Sequence, residues 1–254
     1  MLQPCYVTLW RVAAHQLQLF ESTKDIYYRV FRRLKPRTVP PEIVVAFKPY
    51  ANANCYIRWR NQHLHVLLAD SLRLAPVAVA EAIAVILICK IYRREVPEDS
   101  LSTYREYMND KDTRTHLERI RKQRGRKQIE SPQGQHFDLD AMFDALNQRY
   151  FESALSKPRI GWSKRPSIRT LGHYDPVHHA IVLSKFLDKE AAGYDLVEYV
   201  LYHEMLHIKH PIDYSSGRRK IHPKAFREEE ARYPEFDRIK EKLRDYCHRK
   251  HSSL

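Results

Sequence analysis

Asp195-Leu-Val-Glu-Tyr-Val-Leu-Tyr-His203-Glu204-Met-Leu-His207-Ile-Lys-His210-Pro211 is the stretch from which the fold and chemistry of this chain are read. Leu196, Val197, Tyr199, Val200, Leu201, Tyr202, Met205, Leu206 and Ile208 make it apolar nearly all round, the pattern of a buried helix. Asp195 and Glu198 read as a capping box that starts this helix, and Pro211 ends it by biasing His210 away from helical geometry. His203 and His207 then stand one turn apart on one face. This is the HExxH spacing, in which both imidazoles ligate one metal ion and Glu204 takes a proton from a metal-bound water. Two imidazoles and a carboxylate are costly in apolar surroundings unless they have partners, and a metal with its water supplies them.

A catalytic zinc site needs a third protein ligand and an open position. His210 falls at or beyond the helix end, nearly two turns from His203. Asp213 stands where HExxHxxGxxH enzymes place a third ligand, but His210 and Pro211 replace the glycine that would turn the chain back. Glu228, Glu229 or Glu230 offers a glutamate from a second helix. His222 is the best candidate: it follows a polar loop long enough to return to the metal, and Pro223 suits the first position of a helix capped by His222.

The motifs HEMLH, Gly217-Arg218 and His222-x-Lys224-x-Phe226 resemble the SprT-like zinc peptidases. Upstream, Asn147-Gln-Arg-Tyr-Phe151, Ile160-Gly-Trp162, Arg169-Thr-Leu-Gly172 and a strand Ala180–Ser184 occur in that family's order, so the resemblance covers about residues 137–246. It implies a zincin-like domain with His203, His207 and His222 as zinc ligands and Glu204 as catalytic acid/base. Many members of that family carry a C-terminal zinc ribbon. This chain has no CxxC, so DNA targeting by that route is not expected.

Residues 18–108 read as a faded copy of the second half. Phe47 matches Trp162 and Leu72 matches Leu187, both 115 positions apart, with no gap between. In that register Cys55–Trp59 overlies Thr170–Tyr174, and Val66–Ala69 overlies Ile181–Ser184. After a two-residue slip Glu81 matches Glu198, and Ile86, Leu87 and Lys90 replace His203, Glu204 and His207, so no zinc chemistry is expected there. The expected fold is therefore α+β with two tandem zincin-like units, the first degenerate. Each consists of a helix, a small antiparallel sheet, a buried helix and a C-terminal helix. Expected strands are 42–47, 55–60 and 64–68, then 159–162, 168–174 and 180–184, with turns at Asn61-Gln62 and Asp175-Pro176.

The 254 residues suffice for two domains. The divisions expected are 1–108 for the degenerate domain, 109–135 for a basic linker and 136–254 for the zinc peptidase domain. The net charge of +13 invites a polyanion. Non-specific DNA or RNA is a candidate partner through the basic linker, whose cations include Arg119, Arg121, Lys122, Arg124 and Arg126. The apolar segment Val77–Ile91 is too short for a membrane span and contains Glu81. Scattered cysteines (Cys5, Cys55, Cys89, Cys247) and no basic segment before an apolar run in Met1–Trp10 suggest a cytoplasmic protein. The function these features favour is a zinc metallopeptidase acting on protein or peptide. The competing readings are a zinc-stabilised nucleic-acid- or protein-binding module with weak or no peptidase activity, and a zinc hydrolase of other amides or esters. Retention of Glu204 argues against a purely structural metal.

Overall fold

A computed structural model describes residues 21–126, 128–214 and 219–251, with the side chains of 249–251 excepted. Met1–Trp10, Cys5 and Gly217-Arg218, used above, lie outside the described residues. The chain divides into two compact α+β units between Arg124 and Gly125. Among the described residues, no helix is long and apolar enough to cross a membrane.

The first unit runs α1 (Thr23–Leu34), β1 (Ile43–Lys48), β2 (Cys55–Arg60), β3 (His63–Ala69), α2 (Val77–Ile91), α3 (Glu98–Asn109) and α4 (Lys111–Arg124). Ser22 caps α1 by accepting from the Asp25 N–H. Ile26, Tyr27, Val30 and Phe31 line one face of that helix and are buried against Leu64, Val66 and Leu68 of β3 and the apolar α2. The turn between β2 and β3 has positive φ at both Asn61 and Gln62, the geometry of a two-residue hairpin whose twist matches its strands.

The second unit runs α5 (Leu139–Phe151), β4 (Arg159–Trp162), β5 (Gly172–Asp175), β6 (Ala180–Leu183), α6 (Tyr194–Lys209), α7 (Lys224–Glu230) and α8 (Phe236–His251). Asp138 caps α5, and Asn147 ties down the turn after it. Its side chain donates to the Leu155 carbonyl (3.0 Å) and accepts from the Leu155 N–H (3.2 Å). The helix α6 is the centre of the core, with Leu196, Val197, Leu201, Met205 and Leu206 fully buried.

The sheets correct the antiparallel expectation. Their orders are β1-β3-β2 and β4-β6-β5, with the outer pairs β1·β3 and β4·β6 parallel and the hairpins β2·β3 and β5·β6 antiparallel. In each, the connection after the first strand crosses the end of the sheet, and the third strand then returns between the other two. Strand alternation in the sequence does not report this direction. The parallel registers agree 115 positions apart: Phe47 faces Leu68 as Trp162 faces Leu183. The hairpins do not. Cys55 faces Leu68 whereas Gly172 faces Leu183, so β5 corresponds to β2 at 117 positions, and the gapless overlay of Cys55–Trp59 on Thr170–Tyr174 is displaced by two residues. The helices α2 and α6 also begin 117 positions apart, and each receives an ion pair from the first helix of its unit, Arg33–Glu81 (2.6 Å) and Arg149–Glu198 (3.1 Å).

Other local expectations are revised by contacts distant in sequence. Residues 168–171 are not strand, because the buried Ser184 hydroxyl accepts from the Ser167 N–H and donates to its carbonyl, bending the chain. The Asp195/Glu198 capping box does not form. Gly193 caps α6 without a side-chain bond, while Asp195 pairs with Lys242 and Glu198 with Arg149 and Tyr233. Pro223, rather than His222, occupies the cap of α7. The stretch read as a linker is divided: Lys111–Arg124 is a helix of the first unit, and Pro132 accepts from the Trp162 indole in the second.

Gly161 has no room for a side chain, since a Cβ there would lie 2.0 Å from the backbone oxygen of Glu130. Gly161→Ala is expected to displace that segment and lower stability by about 1–3 kcal/mol, the usual range for overpacking. A urea midpoint equal to wild type would contradict this.

Candidate metal centre

Three side chains from two elements of the second unit converge on one point. His203 and His207 project from α6 and His222 comes from the loop before α7. Their ligand atoms all lie within 4.8 Å of one another. The Nε2 atoms of His207 and His222 are 3.2 Å apart. Tetrahedral zinc with Zn–N bonds of about 2.0–2.1 Å separates ligand nitrogens by about 3.3 Å, so this pair already has ligand spacing. Phe226, buried on α7, floors the cluster with ring centroids 4.6 Å from His222, 4.7 Å from His207 and 5.1 Å from His203.

The outer nitrogen of His203 is committed. Its Nδ1 lies 2.7 Å from Oε1 of Glu230, and the Tyr199 hydroxyl donates to the same oxygen at 2.9 Å. A carboxylate on one ring nitrogen fixes the tautomer and leaves the other nitrogen's lone pair facing the cluster. Burial pushes His207 down to about 4, helped by the neighbouring His203 and His222 rings, and His222 is lowered by burial and by His203. Both rings are therefore neutral near pH 7, the form that binds a metal.

The structure brings His203, His207 and His222 together and leaves the rivals outside. His210 bonds Glu229 (2.7 Å), which also holds Lys209 (2.6 Å). Asp213 exchanges two backbone hydrogen bonds with Lys220, closing the base of the loop that delivers His222. Glu228 faces Lys224, and Glu230 supports a histidine from behind. The run Glu228–Glu230 was visible in the sequence as a source of a carboxylate, but its supporting part was not. The spacing of Phe226 and Glu230, one and two turns past His222, was the available signal.

Glu204 is 6% exposed, and its Oε2 accepts from the Tyr174 N–H at 2.8 Å. Burial pushes its carboxyl up to about 7 against the lowering effects of His203 and that N–H. Gly172 admits it, because a Cβ there would sit 2.5 Å from Glu204 Oε1. The cleft beside it is lined by Ile168–Gly172 of the segment entering β5, Val200 of α6 and Leu243 of α8, together with His203 and His222.

A zincin-type arrangement of this kind agrees with what comparison finds: the SprT-like family model matches residues 139–243. This segment of the chain is similar to the SprT-like family. No curated protein and no solved structure matches the chain.

His222→Ala is expected to lose the metal after zinc loading and dialysis, whereas His210→Ala and Asp213→Ala keep it. Elemental analysis decides this, and an empty Asp213→Ala site would refute the ligand set. Glu230→Gln should keep the three ligands but weaken zinc binding about 10–100-fold, measured by competition with a chelator.

Proposed function

We propose that the second unit is a zinc-dependent metallopeptidase, with His203, His207 and His222 holding zinc and Glu204 as acid/base. The observation that carries this reading is Glu204. It is a buried carboxylate beside three converging imidazoles, with no salt bridge among the described residues, and a purely structural metal would have no use for it. When bound, zinc supplies Lewis acidity and a lowered pKa for water. Glu204, held by the Tyr174 N–H, accepts the proton released as water attacks the scissile carbonyl and passes it to the leaving amine. Glu230 keeps His203 oriented during the reaction. The substrate is a protein or peptide segment in extended form. β5 is an edge strand beside Glu204, suited to pair with such a segment by β-augmentation.

The first unit, in this reading, is a degenerate copy that has kept the scaffold and lost the chemistry. Supporting this are the shared strand order, the common parallel register and the equivalent ion pairs onto α2 and α6. Ile86, Leu87 and Lys90 stand where the histidines and glutamate would be. Its role is docking or substrate restriction. Cys55, Cys89 and Cys247 are free thiols, which suits a cytoplasmic setting.

Glu204→Gln should fold and hold zinc while cleavage of a denatured protein substrate falls about 10²–10⁴-fold. Equal cleavage by both proteins would sink the mechanism. Gly172→Ala should also retain zinc but cut kcat, because its methyl group displaces the Glu204 carboxylate. Unchanged kcat would show that this contact does not position the base.

A further inference from the structure

We propose that the outer face of the first unit's sheet binds single-stranded nucleic acid. On β3, Leu64, Val66 and Leu68 are buried toward α1 and α2, so His63, His65 and Leu67 lie on the opposite face. The hairpin register adds β2 to that face, with Tyr56 opposite Leu67, Arg58 opposite His65 and Arg60 opposite His63. β1 contributes Val44, Ala46 and Lys48 beside them. None of these nine residues is buried, whereas the residues between them on β3 are.

The face combines rings with cations. Tyr56 is 47% exposed and meets Tyr50 edge-on, with centroids 5.8 Å apart, while the His63 and His65 rings stack at 6.2 Å. Arg58, Arg60 and Lys48 make no ion pair among the described residues, and the carboxylate meeting this face is Glu42, 3.4 Å from His63. The corresponding positions of the second unit differ. Ala180 stands at the place of His65 and Asp175 at that of Arg58, both fully buried, and the Glu130 backbone runs over Gly161 at the place of Ala46. The scaffold therefore does not require rings and guanidinium groups here.

Exposed aromatic rings on a sheet, with cations alongside, match the two things a single strand offers together: unpaired base faces and phosphates. A duplex keeps its bases stacked inside and offers this face only phosphates. An acidic protein would answer the arginines but leave the rings unexplained. The basic helix α4 borders this face at Tyr50, but its Arg124 is already held by Asp70 at 2.6 Å and by the Tyr50 carbonyl.

The test is fluorescence anisotropy of the full chain with labelled oligothymidylate, and with the same strand paired to oligoadenylate, across a salt series. The single strand should bind at least about tenfold more tightly than the duplex. Tyr56→Ala should weaken single-strand binding about tenfold while leaving duplex binding unchanged. Arg58→Ser with Arg60→Ser should weaken both and flatten the salt dependence, and Arg58→Lys with Arg60→Lys should restore the slope. Circular dichroism and zinc content check that each variant is folded. A photocrosslink from an iodouracil strand to the wild-type chain should map to residues 55–65, which keeps the test decisive if a variant fails to fold. The proposal is overturned by no single-strand binding at low salt, by folded variants that bind as wild type, by preference for the duplex, or by crosslinks only elsewhere. None of these readouts depends on peptidase activity.

Discussion

The helix Tyr194–Lys209 carries two imidazoles and a carboxylate into surroundings too apolar to solvate them, and the second unit is arranged around meeting that cost. Each polar group has a specific answer. His203 receives Glu230, Glu204 receives a backbone N–H, and His207 faces His222 across 3.2 Å. Phe226 packs an apolar surface against the rings and helps keep them in place. A site supported from behind in this way holds its ligand geometry without relying on the metal to create it.

The support extends into the core through tyrosines. Tyr150, Tyr202 and Tyr233 meet ring to ring, with Tyr199 against Tyr233, joining α5 and α6 to the segment after α7. Three of the hydroxyls donate around the site: Tyr199 to the Glu230 carboxylate, Tyr202 to the backbone carbonyl of Glu229 and Tyr233 to the Glu198 carboxylate. Burial raises the phenols of Tyr199, Tyr202 and Tyr233, so all three stay protonated and remain donors. Packing and ligand orientation are thus parts of one network. Glu198 takes both Arg149 of α5 and Tyr233, linking the first helix of the unit to the end of the α7 turn.

The histidine cluster was legible in the sequence because its signals are local or carried by residue type. Histidines four apart in an apolar run define a helix face, and His222 before Pro223 marks the next helix start. What was hidden depends on partners far along the chain. The Tyr174 N–H that holds Glu204 is a backbone group and leaves no trace in residue identity. The Ser184 clamp on Ser167 shortened a strand that alternation alone extends, and Lys242 drew Asp195 away from its expected cap. Strand direction was also invisible, since β1 and β4 alternate in the same way whether parallel or antiparallel to their neighbours. The common spacing of the two units' strands was legible, but it was read without the gap that the hairpins contain.

That gap has a consequence for how such units can diverge. Relative to the strands that flank them, β2 and β5 are offset by two residues, an even number. A strand sends alternate side chains to opposite faces, so an even offset leaves inward residues inward, while an odd one would turn the buried set out to solvent. Length changes in this hairpin are therefore tolerated in pairs, and a chimaera exchanging it between the units must carry two residues or none. The strand beside Glu204 and its counterpart in the first unit differ by the smallest step that keeps both sets of inward side chains in place.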